Sequence, residues 1–117
     1  MPRISTHVLD TARGIPARGI PVSLCRLRGD ERLFVGSAVT NADGRTDAPL
    51  LSGDEIPIAI YELTFHAGPY LAVSGATVAS PPFLGDIVIR FGVADAAASY
   101  HVPLLLSPYG YSTYRGS

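Results

Sequence analysis

Apolar and polar residues alternate along most of this chain, and that alternation predicts strands, whose successive side chains point to opposite faces. ISTHVLD opens with the pattern, and IPVSLCRLR repeats it with Ile20, Val22 and Leu24 on one side. LFVGSAVT and DIVIRFGV read the same way, and IPIAIYELTF is the longest strand candidate. YHVPLLLS and YGYSTYRGS close the series, with Pro108 and Gly110 forming a tight return between them. Turn residues separate the runs. Gly14, Pro16 and Gly19 mark DTARGIPARG as a loop, and GDER is a turn. In NADGR, Asn41, Asp43 and Gly44 supply the side chains and the φ freedom of a sharp reversal. AGPYLAVSG is the one short helix. Strands at short spacing with turns between them predict an all-β antiparallel sandwich. A chain of 117 residues without repeats or a linker predicts one domain over residues 1–117.

Parity sharpens the picture. In YHVPLLLS, Tyr100, Val102, Leu104 and Leu106 share one face, and His101, Pro103, Leu105 and Ser107 share the other. In ISTHVLD, Ile4, Thr6 and Val8 oppose Ser5, His7 and Leu9. Each strand therefore has one core face and a second face where a lone histidine sits among apolar neighbours. Such a second face is expected under another subunit rather than in water.

Composition agrees with a globular chain that hides part of its surface in an oligomer. Hydrophobic residues make up 47 % and charged residues 16 %, with a net charge of −1. No basic face suggests nucleic acid. Lys is absent, so all nine positive side chains are Arg. Cys25 is the single cysteine, which forbids an internal disulfide and fits a reducing compartment. The N-terminus lacks a signal-like apolar region, and no apolar run is long enough to span a bilayer. The expectation is a soluble, cytoplasmic protein without membrane contact.

Taken alone, the polar candidates have ordinary explanations. A single histidine on a strand is usually structural, and that reading holds for His7, His66 and His101. Arg45 follows a tight turn, where an exposed Arg is ordinary. Tyr114 has the place of a sheet-edge aromatic, and Cys25 that of a half-buried small residue. The three histidines lack zinc-ligand spacing. Ser112 and Ser117 lack the nucleophile-elbow motif of a serine hydrolase.

Three stretches change the balance: HVLDTARGIPA at 7–17, TNADGRT at 40–46 and YHVPLLLSPYGYSTYRGS at 100–117. Together they resemble the 5-hydroxyisourate hydrolases, the transthyretin-related enzymes of urate breakdown, and the similarity runs essentially end to end through YELTFHAGPYLA. The terminal YRGS is its most specific element. VLDTARGIPA and LLSPYGYST also resemble the transthyretins, which are hormone carriers. These lack histidine at the positions of His7 and His101 and lack the YRGS ending. One departure from the hydrolases lies in AAASYHVP, where relatives often carry a second histidine just before the motif.

The resemblance implies a sandwich of two four-stranded sheets with one short helix. It also implies a homotetramer whose active sites lie in a central channel at the dimer–dimer interface. The implied reaction is hydrolysis of 5-hydroxyisourate to 2-oxo-4-hydroxy-4-carboxy-5-ureidoimidazoline, on the route from urate to allantoin. Carried over by position, the catalytic set is His7, Arg45 and His101, with Tyr114 and Ser117 joining them in substrate binding. The chemistry fits these residue types. Imidazole can take a proton from water and deliver one to the leaving nitrogen. A guanidinium keeps its charge and presents forked donors to a planar ring or an oxyanion. Neither a metal nor a cofactor is expected. The choice of general base between the two histidines stays open, as do the roles of Arg115 and of the terminal carboxylate. Two other readings remain beside the enzyme: a transthyretin-like carrier of a small aromatic ligand, and a purely structural sandwich domain.

Overall fold

Hairpins build the first layer. In the computed structural model, which describes residues 1–74 and 79–117, β4 (Pro21–Arg28) turns through Gly29 and Asp30 into β5 (Glu31–Val39). Strand β7 (Ala59–His66) pairs with β4 on its other side, and β8 (Asp86–Val93) completes the sheet in the order β5-β4-β7-β8, antiparallel throughout. Helix α1 (Gly68–Val73) sits between β7 and β8 with Pro69 in its first turn and Leu71 buried. It lies within AGPYLAVSG, whose last residue, Gly75, is outside the described residues. The Tyr70 hydroxyl donates to Oδ2 of Asp10 at 2.7 Å, which ties the helix to the second layer.

That second layer differs from the simple four-stranded sheet expected. ISTHVLD divides into β1 (Arg3–Ser5) and β2 (Val8–Asp10), and YHVPLLLS into β9 (Tyr100–His101) and β10 (Leu104–Ser107). With β3 (Ile15–Pro16), β6 (Leu51–Ser52) and β11 (Gly110–Thr113), these form a three-stranded sheet, β6-β1-β9, and a four-stranded one, β11-β10-β2-β3. Pro103 causes the break, because it has no N–H to give to the ladder. The hydroxyl of buried Thr6 donates to the Val102 carbonyl at 2.6 Å, and Thr113 donates to the Pro103 carbonyl at 2.7 Å. The two strand paths stay joined across the gap, through Val102 N–H to Ser5 O and Leu104 N–H to His7 O, both 2.9 Å.

Two further expectations are corrected. The sandwich is not antiparallel everywhere: β1 runs parallel to β9, and β2 to β10. Turn signals reveal only hairpins, whereas a parallel pair needs a long crossover, and here the whole first layer lies between the partners. Ile15–Pro16, expected in a loop, forms β3 and pairs with Leu9 and Asp10 of β2.

The core lies between the layers. Ile4, Val8, Leu104 and Leu106 meet Val22, Leu24, Leu63 and Phe65, all almost wholly buried. Parity assigned the faces correctly: Tyr100 and Val102 join the core, while Ser5, His7, Leu9, His101, Leu105 and Ser107 are half-buried on the opposite side. Pro103, expected on that side, is buried at the break.

Candidate active site

The split in the second layer is where the site forms. In the parallel register Ser5 lies directly opposite His101, and His7 follows at the gap. Nδ1 of His7 and Nε2 of His101 share a hydrogen bond of 2.6 Å, with the rings stacked at 4.8 Å between centroids. The other ring nitrogen of His101, Nδ1, is hydrogen-bonded to the Ser5 hydroxyl at 2.8 Å. His101 is thus held at both nitrogens, while Nε2 of His7 has no hydrogen-bond partner among the described residues.

The NADGR turn delivers Arg45. Oδ1 of Asn41 accepts the N–H groups of Asp43 and Arg45, at 2.9 and 3.2 Å, and the Asn41 N–H donates to the Arg45 carbonyl at 2.7 Å. Gly44 adopts φ 73°, and its carbonyl accepts the Val8 N–H at 2.8 Å. The turn is thereby fastened beside β2, and Arg45 forms an antiparallel bridge with His7. From the other side, Gly116 bridges to His101, donating its N–H to the His101 carbonyl at 2.7 Å.

These elements enclose a cavity of about 370 Å³, within the range of roughly 300–1,000 Å³ usual for small-molecule sites, lined by Arg3, Ser5, His7, Arg45, Ser99, His101, Tyr114, Gly116 and Ser117. All five residues singled out in the sequence, His7, Arg45, His101, Tyr114 and Ser117, line this one cavity. Ser5, Arg3 and Ser99 do so as well and were not singled out. The signal for Ser5 was its place two residues before His7 on the same strand face. Arg115 turns away, with its guanidinium 4.2 Å from the centre of the Tyr100 ring and a hydrogen bond to the Ser99 carbonyl. His66 pairs with Asp86 at 2.9 Å, apart from the other two histidines. Among the described residues no three His, Cys, Asp or Glu side chains gather as a metal site would require.

The electrostatics suit a base. Burial is the main cause holding His7 below the ordinary imidazole range, and the positive charge of Arg45 adds to it. Burial also lowers His101, followed by the neighbouring His7, Arg45 and Arg3. Both rings therefore stay neutral at pH values where a free imidazole would be partly charged. A neutral, hydrogen-bonded histidine pair beside a guanidinium in a polar cavity can activate water and stabilise developing negative charge on a carbonyl oxygen.

A β-sandwich with paired histidines and an arginine at the break of one sheet defines the class: a transthyretin-like fold carrying a hydrolytic type of site. The sequence model of the HIUase/Transthyretin family matches residues 4–116, and the chain belongs to that family. It is 55 % identical to 5-hydroxyisourate hydrolase 2 of Rhizobium meliloti (strain 1021), over 98 % of this chain and 96 % of that protein. The solved structure of Klebsiella pneumoniae 5-hydroxyisourate hydrolase is similar with a TM-score of 0.80 and 36 % identity, over the whole of both chains. The crystal structure of (S)-allantoin synthase is similar with a TM-score of 0.89 and 44 % identity, over 98 % of this chain. The chain spans 43 % of the length of that synthase.

Proposed function

We propose that this protein hydrolyses 5-hydroxyisourate, with His7 as the general base, His101 as its proton partner and Arg45 stabilising charge on the substrate. The single observation that carries the reading is the 2.6 Å His7–His101 hydrogen bond in the cavity that Arg45 also lines. The base is assigned to His7 because His101 has both ring nitrogens engaged, whereas His7 keeps Nε2 open. Water gives a proton to Nε2 of His7 as its oxygen attacks the ring carbonyl. Arg45 meets the negative charge that develops there. When the ring C–N bond breaks, the same proton passes to the leaving nitrogen, which leaves a ureido group and a new carboxylic acid that gives its proton to solvent. Tyr114, 53 % exposed, offers a flat wall to a planar heterocycle, and Ser117 adds a hydroxyl at the rim. No step in this scheme uses a metal or a cofactor.

Residues 1–117 are read as one domain that works as a homotetramer, with each site at a dimer–dimer interface. Support comes from the half-buried Leu9 and Leu105 on the face that carries the histidines, which suit a covered surface better than an open one. Among the described residues no helix is long and apolar enough to cross a membrane. A cytoplasmic setting is inferred from Cys25, a half-buried free thiol.

The test is direct. 5-Hydroxyisourate is generated with urate oxidase, and its decay is followed with and without the protein. Loss well above the spontaneous rate at catalytic protein concentration is expected. Decay at the buffer rate with folded protein would refute the reading and leave a binding protein.

A further inference from the structure

Nothing in the proposed reaction so far gives Ser5 a task, although its hydroxyl is 2.8 Å from Nδ1 of His101 and it lines the cavity. Its place is set by the fold, since the parallel register of β1 and β9 puts Ser5 directly across from His101. The His101 ring is thereby gripped at two points, Nδ1 by Ser5 and Nε2 by His7. Gly116 closes on the ring from the side.

A neutral imidazole has one N–H and one bare nitrogen, so a row of two such rings and a hydroxyl has two possible directions. In the first, Ser5 donates to Nδ1 of His101, Nε2–H of His101 donates to Nδ1 of His7, and His7 carries its proton on Nε2. His7 then has no lone pair to offer water. In the second, Nδ1–H of His7 donates to His101, and Nδ1–H of His101 donates to the Ser5 oxygen. Nε2 of His7 is then bare. Only the second direction lets His7 act as a base.

We infer that Ser5 is a positioning residue that accepts the Nδ1 proton of His101, and thereby keeps the pair in the direction that leaves Nε2 of His7 open. The inference rests on the hydrolase reading proposed above. During turnover Nε2 of His7 takes a proton from water, and the Nδ1 proton of His7 can shift to Nε2 of His101. The positive charge then lies on His101, whose Nδ1–H is still bound by the Ser5 oxygen. Arg3 and Arg45 are the cations whose charge reaches His101, and both oppose that charge. The Ser5 oxygen, as an acceptor at Nδ1, is the contact that offsets them. When the leaving nitrogen takes the proton from His7, the row returns to its starting state and nothing is consumed.

The test compares Ser5→Ala and Ser5→Thr with the unaltered protein, using His101→Asn as the inactive reference. Ser5→Ala is expected to lower kcat roughly tenfold or more with KM nearly unchanged, since a small misplacement of a reacting group costs at least that much. Ser5→Thr, which keeps the hydroxyl, restores most of it. Long-range proton–nitrogen NMR of the histidine rings reads the same property without substrate, and Ser5→Ala should shift His101 from the Nδ1–H towards the Nε2–H form. Normal kcat in Ser5→Ala while His101→Asn is inactive would overturn the assignment. So would a raised KM with normal kcat, which would make Ser5 a substrate contact, or an unchanged His101 tautomer. If the unaltered protein fails to hydrolyse 5-hydroxyisourate, the activity reading falls on its own, and the NMR comparison alone decides whether Ser5 sets the tautomer.

Discussion

Gly116 lies against the imidazole of His101 so closely that a Cβ on it would stand 2.7 Å from Cδ2 of the ring, and 3.3 Å from Cγ. The bridge at Gly116 thus confines the side chain proposed as the proton partner of His7. The ring has little freedom to retreat, because Ser5 and His7 hold both of its nitrogens. Gly116→Ala should therefore lower kcat by roughly tenfold or more, as small misplacements of a reacting group do. Thermal unfolding should change little, since Gly116 lies outside the core. Steady-state kinetics beside a melting curve check this, and a fully active alanine variant would show that the ring can move at no cost.

The histidine pair itself should dominate the rate. His7→Asn and His101→Asn are each expected to lower turnover by about two orders of magnitude or more, the usual scale for a positioned acid or base. Both side chains are half-buried outside the main core, so circular dichroism and assembly mass should stay as they are. Normal turnover in either variant would return that residue to a structural role.

The pH profile carries a definite sign. His7 and His101 are both held below the ordinary imidazole value of about 6.5, chiefly by burial. Activity should accordingly persist below pH 6.5 and fall only as the pair takes up a proton. Stability follows the same direction. In the window below about pH 6.5 the unfolded chain binds more protons at these positions than the folded one, so stability is full above that window and is lost as pH falls through it. Replacing Arg45 with Gln removes the second cause on His7, and the titrations of both rings should move upward. Burial remains, so they should not rise all the way. Proton NMR titration of the ring signals measures this even where activity is lost, and unmoved titrations would show that Arg45 does not act on the pair.

Gly44 carries the turn that presents Arg45. At φ 73° a side chain is strained, and a Cβ would collide with the carbonyl oxygen of Val8 and crowd Ala17 N at 3.3 Å. Gly44→Ala should destabilise the fold by more than about 1 kcal/mol and lower activity by shifting Arg45. Denaturant unfolding gives the first quantity and the assay the second. Unchanged stability would mean that the turn can open away from β2.

Local physics was sufficient to reveal much of this protein. The period-two pattern assigned Ile4, Val8, Val22, Leu24, Leu104 and Leu106 to the core, because a strand exposes alternate side chains to opposite environments. Asn41 and Gly44 announced their turn by side-chain chemistry and φ freedom. His7, Arg45, His101, Tyr114 and Ser117 stood out only through the family resemblance of the stretches that contain them, since each has an ordinary explanation by itself, and Ser5 stood on the same face as His7. What only the tertiary structure decided is how distant stretches meet. The parallel pairing of β1 with β9 joins segments 96 residues apart, and no local signal encodes a register over such a separation. The two-sided grip on His101 and the open nitrogen of His7 both follow from that register. A strand's face depends on its own residues, whereas the partner across the ladder depends on the path of the whole chain between them.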